Sequence, residues 1–467
     1  MKRSLLQILQ VLPVVSFFCM LLSGCGPGCV AELISVKEQS PANNALMKKI
    51  NVVSKEKATL FIRYWQKGNR ANVFSTPVSA NRKEHLFSLL YLKPAQTYEY
   101  EIVAKNEKCE SSTSGMGTFF TKEMPLAIQE MVMPAEMQET LPNKFSKGFS
   151  LVAQRDLPGR MYFVDAKGNI VWYHTINNAG FKVAHFTKAS TVLSIVAPPS
   201  YPTSYGDEIL EISLAGDTLF HLKKGEKGFD KIIHHEIFYN ASHQLVTLTQ
   251  EKKIIDLQKL GGAKADTIRG DGILVLDDKG NKVWSWSVFD VIDPLSDKNI
   301  LKDKSDWLHA NGLSMDTDGN YLLSFYLSGQ IWKIDAKNGK LMWKLGRGGD
   351  FSFPKGDEFY ESHAAYRTAK NQLMLFENGT NKKRSRVLSY TLDESNRSAN
   401  VNLSIELPLN LYSERMGSAY CVDDANILVC SSQSHAVSLL DSTGKILWRV
   451  QTGFIPYRAE FIDSLPL

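Results

Sequence analysis

The chain has 467 residues, of which 43% are hydrophobic and 22% charged, with a formal net charge of +5. This composition excludes a disordered chain and a disulfide-framework miniprotein, and the length allows two to four domains or one large β architecture. Two of the positive charges, Lys2 and Arg3, lie in the first segment, and nowhere do clustered Lys and Arg interleave with aromatic residues. That pattern argues against nucleic acid as a partner.

Lys2 and Arg3 precede an apolar run from Leu5 through Leu22, so residues 1–24 read as a secretory signal. Leu22-Ser23-Gly24-Cys25 resembles a bacterial lipobox. Cys25 is therefore the expected site of lipidation and of attachment to a membrane. Gly26 stands where an Asp would favour retention at the inner membrane, which points to the outer membrane facing the periplasm. Cys421 and Cys430 flank Asp423-Asp424-Ala425-Asn426 symmetrically, and in an exported protein a disulfide across that hairpin is expected. Cys29 and Cys109 are the remaining pair, with free buried thiols as the alternative.

Residues 25–124 carry short runs of alternating aromatic and polar residues, among them Ala58 to Trp65 and Thr97 to Val103. Their spacing predicts a small β-sandwich, and Leu92-Lys93-Pro94-Ala95-Gln96-Thr97-Tyr98 resembles the tyrosine-corner approach of immunoglobulin-like and fibronectin type III domains. The Met- and Pro-rich stretch 125–144 reads as a linker.

Residues 145–467 contain an internal repeat. Tyr162-Phe163-Val164-Asp165-Ala166-Lys167-Gly168-Asn169-Ile170-Val171-Trp172 matches Leu274-Val275-Leu276-Asp277-Asp278-Lys279-Gly280-Asn281-Lys282-Val283-Trp284. The frame recurs from Lys333 to Trp343 and from Leu439 to Trp448, with weaker copies at 211–220 and 389–403. Anchors at 165, 213, 277, 335, 393 and 441 recur every 48 to 64 residues. A strand, a Gly-bearing turn and a second strand are the outer half of a propeller blade, so the expected fold is all-β, a six-bladed β-propeller following the sandwich. The Trp ending each frame is expected to pack between blades.

Ahead of a turn and strand in successive blocks stand His185, His235, His309 and His363, and the equivalent place in the next block is near Ser418. The first strand of each blade lines the central channel, so these imidazoles are expected to surround one small volume. No close-spaced ligand pair such as His-x-x-x-His marks a metal site, Asp316-Thr317-Asp318-Gly319-Asn320 reads as a hairpin turn, and no phosphate-binding Gly-rich loop is present. No cofactor is expected.

Asp306-Trp307-Leu308-His309-Ala310-Asn311, Ser362-His363-Ala364-Ala365-Tyr366-Arg367, His234-His235-Glu236-Ile237, Phe376-Glu377-Asn378-Gly379 and Asp271-Gly272-Ile273-Leu274 together resemble the bacterial arylsulfate sulfotransferases. The resemblance implies a periplasmic enzyme that moves a sulfuryl group from an aryl sulfate donor to a phenolic acceptor through a sulfohistidine, without a nucleotide donor. It implies that His363 is the nucleophile, that His309 and His235 hold the sulfuryl oxygens and manage the phenolic proton, and that Asn311, Tyr326 and Arg367 bind substrate. His234, next to His235, is expected on the opposite face of its strand. One position departs from the family: Tyr326 stands where an Arg supports the sulfuryl group. The competing reading is a non-catalytic, membrane-anchored propeller lipoprotein that binds a small anion or glycan.

Overall fold

The computed structural model describes residues 30–41, 44–106, 109–202 and 204–466. The leader, Cys25 and Cys29 lie outside the described residues, as does the side chain of Cys109, so neither lipidation nor the second cysteine pair has a structural counterpart here. The chain divides into two compact units, one containing Lys49–Leu89 and Gln96–Phe120, the other Ser40–Lys48, Leu90–Ala95 and Thr121–Leu467.

The smaller unit is antiparallel. Leu33–Gln39, Lys48–Gln66, Thr97–Asn106 and Cys109–Phe120 pair in that order, and Phe74–Ser75 and Ser79–Leu89 also pair with the long second strand. Ile50, Val52, Leu60, Ile62 and Tyr64 are buried at alternate positions along that strand, the two-residue period of a sheet with one apolar face. Tyr98 stacks on Phe119 at 5.6 Å between ring centroids.

The larger unit holds six successive antiparallel sheets of four or five strands. Their innermost strands are Pro456–Ile462, Gly180–Phe186, Ile233–Tyr239, Ala310–Met315, Ser362–Arg367 and Ser418–Cys421. Each packs against the next, and the ring closes because Pro456–Ile462 lies beside Gly180–Phe186 while pairing with Phe149–Gln154. A closed ring of sheets leaves only short outer edges, which is the propeller solution to the edge-strand problem.

The repeated frames are the third and fourth strands of these sheets, and their chemistry is local. Asp165 Oδ1 accepts from the backbone N–H of Lys167 at 2.9 Å and Asn169 at 2.8 Å, and Asp277 and Asp441 do the same in their own turns. Gly168, at φ +84°, supplies the left-handed residue that closes the first of these turns. The tryptophans brace neighbouring sheets: the indole N–H groups of Trp172, Trp286 and Trp448 donate to the carbonyls of Leu214, Gly339 and Ala166 at 2.8, 2.9 and 2.8 Å. In the third sheet this brace is Trp286, whereas Trp284 of the repeat frame stacks on Tyr321.

Residues 125–144 are not a free linker. Ile128 and Val132 are buried with Phe145 in the core that surrounds Trp448, and Glu136–Met137 pairs with Ile446–Gln451 as an added edge strand. Asp316-Thr317-Asp318-Gly319-Asn320 is a hairpin turn, with Asp316 and Asp318 both holding Lys333, and no His, Cys, Asp and Glu cluster suited to a metal occurs among the described residues.

The expected disulfide does not form: Cys421 and Cys430 are both free. Their strands are neighbours, but Cys430 pairs with Ser418, and Cys421 pairs with Ile427. An offset of three residues turns the two side chains to opposite faces of the sheet, where no disulfide geometry is available.

Candidate active site

The first strand of each sheet starts at the same end of the ring, and there the ladder is broken. Register shifts fall between His234 and Ile237, between Ala310 and Gly312, and between His363 and Tyr366. His235, His309 and Ala364 have φ of 59°, 57° and 52°. Such bulges re-aim side chains at a cost of about 1 to 3 kcal/mol per strained residue, and they persist only where surrounding structure enforces them.

The result is a cluster at one mouth of the ring. The His235 and His309 rings are 5.2 Å apart, His309 and Tyr326 5.7 Å, and Tyr326 and His363 5.4 Å. Tyr457, from the closing strand, meets His235 edge-on at 6.0 Å. His235 and His363 are buried, whereas the His309 side chain keeps 23% of its exposure and opens the cluster to solvent.

Each imidazole is oriented by a different partner. Nδ1 of His363 lies 2.5 Å from Asn378 Oδ1, and the Asn378 amide nitrogen donates to the carbonyls of Ser413 and Met416, both at 2.8 Å. The amide orientation is therefore determined, its oxygen must accept, and neutral His363 carries its proton on Nδ1, which leaves Nε2 as the unprotonated nitrogen. Burial, reinforced by the charge of His309, pushes His363 down to about 3, so it is neutral near pH 7. Nδ1 of His309 lies 2.7 Å from Asp306 Oδ2. Burial opposes a charge on His309, but the hydrogen bond and charge of Asp306 outweigh it and raise its pKa above the ordinary histidine value.

His234 is not on the opposite face from His235. Because the bulge turns His235, their Nδ1 atoms approach to 2.7 Å, and the rings stand at 89°. Burial lowers both, His234 to about 4 and His235 well below the ordinary range. Behind them Nε2 of His234 lies 3.4 Å from Asp271, which burial pushes up to about 8. His234 Nε2 has no hydrogen-bond partner, and the 2.7 Å approach of the two Nδ1 atoms requires one of them to carry the shared proton.

The other expected residues divide. Tyr326 is in the cluster, its hydroxyl donating to the Glu414 carbonyl at 3.0 Å, and burial with the nearby Glu361 charge raises it to about 12. Asn311 is adjacent, but its side chain latches protein to protein, donating to Ser362 O at 2.8 Å and accepting from Ser324 Oγ at 2.7 Å. Arg367 lies at the other end of its strand from His363, engaged by Asp316 at 2.9 and 3.0 Å and by Glu394 at 3.3 Å. The structure does not bring it to the histidines. His185 is likewise held apart, with Nε2 2.6 Å from Glu236 and Nδ1 3.3 Å from Glu460. Burial disfavours its charge, yet the two carboxylates raise it to about 10.

Sequence reasoning assigned no role to Asn378, Asp306 or Asp271, although each lies in a motif quoted above. Glu236 and Arg458 were also without a role. Arg458 pairs with Glu236 in the buried wall and donates to the Asn311 carbonyl at 2.8 Å. Burial opposes its charge, but Glu236 keeps it well above the usual range.

Three imidazoles, one neutral and one open to solvent with its charged form favoured by Asp306, suit transfer of an anionic group. The arylsulfotransferase (ASST) family model matches residues 135–453. The chain belongs to the arylsulfotransferase family. The family model thus spans all three clustered histidines. No curated protein matches the sequence. Among solved structures, a protein of unknown function from Bacteroides caccae is similar at TM-score 0.44 and 13% identity, over 68% of this chain and 100% of that one. An inactive virginiamycin B lyase from Staphylococcus aureus with quinupristin is similar at TM-score 0.34 and 12% identity, over 89% of this chain and 99% of that one.

Proposed function

We propose that this arylsulfotransferase is an arylsulfate sulfotransferase of the cell envelope, a six-bladed propeller behind an immunoglobulin-like sandwich, tethered through lipidated Cys25 and working without a cofactor. The observation that carries the reading is the Asn378 amide, which leaves Nε2 of a neutral His363 as a nucleophile. In the first half-reaction Nε2 attacks the sulfur of an aryl sulfate, the N–S bond forms, and the S–O bond to the arene breaks. The departing phenolic oxygen takes the proton held by His309, whose charged form Asp306 favours. The sulfuryl oxygens are held by the His235 imidazole and by the Tyr326 hydroxyl once it turns from the Glu414 carbonyl. In the second half-reaction an acceptor phenol returns a proton to His309, attacks the sulfur and frees His363. Such transfer asks little covalent work of the protein, so donor placement and charge stabilisation are the main contributions.

The test is intact mass after exposure to an aryl sulfate without acceptor, followed by peptide mapping under non-acidic conditions. A sulfuryl adduct on His363 is expected. No adduct would favour the binding lipoprotein, and an adduct on His309 or His235 would reassign the nucleophile.

A further inference from the structure

The histidines occupy three consecutive sheets, and the other three sheets present cations at the same end of the ring. In every sheet the residue after the one paired with the start of the innermost strand holds an equivalent place: Arg155, Pro198, Gln250, Tyr326, Asn378 and Ser431 in turn. Only Arg155 among these is charged. The ladder of the second sheet breaks between Phe181 and Val183, so Lys182 occupies a bulge like the one that turns His235 inward. Arg415, which is exposed, lies three residues ahead of Ser418–Cys421 and next to Glu414, whose carbonyl takes the Tyr326 hydroxyl.

Arg155 and Lys182 are built in without ion-pair partners among the described residues, whereas Arg415 is exposed. Arg155 is 6% exposed and Lys182 4%. Nε and Nη1 of Arg155 are buried with no hydrogen-bond partner, and neither residue makes an ion pair among the described residues. Arg155 interacts electrostatically with Lys182, Arg415 and Tyr457, and the exposed Asp156 is the one carboxylate that acts on both Arg155 and Lys182. Burial lowers the pKa of both. A buried guanidinium with two unsatisfied donors is costly unless something supplies the acceptors. Tyr457, which acts on Arg155 and faces His235, joins this cationic side to the imidazoles. On the opposite side Glu361 and Glu414 flank Tyr326 and disfavour a second negative charge there.

We propose that Arg155 and Lys182, with the exposed Arg415 at their rim, form an anion subsite facing the histidines, which takes a second acidic group, carboxylate or sulfate, of an arene whose sulfuryl group lies against His363. The subsite rests on the sulfotransfer reading for the identity of the first group, but its affinity for an anion does not. The preferred donor is then a dianionic aryl sulfate, held at both ends with its ring between Tyr457 and Tyr326.

The experiment is titration calorimetry of the whole protein with 4-sulfobenzoate and with benzenesulfonate, neither of which has a transferable sulfuryl group. The dianion is expected to bind at least about tenfold more tightly, as for a charge-assisted contact. Arg155→Gln and, separately, Lys182→Met are expected to bring that ratio below about threefold. Each removes a buried uncompensated charge, so retained or raised thermal stability is expected of both. Equal binding of the two probes by the unmodified protein, or a ratio unchanged in both variants, overturns the subsite. A ratio that depends on Arg155 in a protein forming no sulfuryl adduct upholds the subsite and removes the sulfotransfer reading. An adduct on His363 without any preference for the dianion does the reverse.

Discussion

The carboxamide oxygen of Asn378 faces Nδ1 of His363 at 2.5 Å, on a side chain whose amide nitrogen is held by two backbone carbonyls. This relationship selects one imidazole tautomer without adding a charge beside the nucleophile. A carboxylate there would instead favour the imidazolium, which has no lone pair to offer.

Asn378→Leu is therefore expected to slow single-turnover sulfation of His363 by roughly 10²-fold, the scale on which loss of an orienting partner acts. Donor affinity should change little, because the amide does not reach the substrate. Rapid-quench sulfation against donor concentration separates the two quantities. An unchanged rate in a folded variant would mean that the tautomer is set elsewhere.

The Asp306–His309 pair governs the pH dependence. In the proposed donor half-reaction His309 gives its proton to the departing phenol, so the rate should fall on the alkaline side, through the raised pKa of His309. Asp306→Asn removes the group that raises it and should move that limb to lower pH. Stability follows a different sign. His363, at about 3, and His234, at about 4, bind protons more readily in the unfolded chain, where the value is about 6.5. Their contribution is complete above 6.5 and is lost as pH falls toward 4 and then 3. Asp271, raised to about 8, takes up a proton on folding over the same range and opposes them, so in Asp271→Asn the thermal midpoint at pH 7 should exceed that at pH 5 by several degrees, and a flat profile there would contradict neutral burial.

Tyr326→Arg should raise the single-turnover rate with a simple aryl sulfate such as 4-nitrophenyl sulfate. Tyr326 lies between His309 and His363 and offers one neutral donor, whereas a guanidinium offers a delocalised charge and a fork of donors. Equal or lower rates with folding intact would show that the pocket is adapted to the phenol.

Cys421 and Cys430 should both count as free thiols on denaturation under alkylating conditions that trap existing disulfides. In the native protein Cys421, which is exposed, should react with iodoacetamide first. Burial pushes Cys430 up to about 12 and should protect it until unfolding. Protection of both after denaturation would restore the bridge.

The repeat and the histidines were legible because they are local. An Asp that accepts from residues two and four ahead, followed by a Gly at positive φ, marks three of the six hairpins in sequence, and the strand ahead of each inherits its place by counting. What counting cannot supply is register. The same symmetric spacing that suggested a disulfide conceals a three-residue offset, and the alternation that put His234 opposite His235 is broken by a bulge. Arg367 shares a motif with His363, yet Asp316 and Glu394 claim it at the other end of the strand. Asp306 and Asn378 could have been found by asking which neighbour could fix a tautomer; Arg458 could not, since it reaches Glu236 from 222 residues away.

The strand Pro456–Ile462 is the last to be synthesised in the ring and the first by position, and it brings Tyr457 and Arg458 to the cluster. Until it docks, Glu236 is a carboxylate in an apolar wall with its guanidinium partner missing, and the mouth lacks one side. The histidines of a growing chain are thus present long before they form a pocket. Completion of the site becomes a report on completed assembly: a molecule interrupted before this strand holds the histidines but not their enclosure.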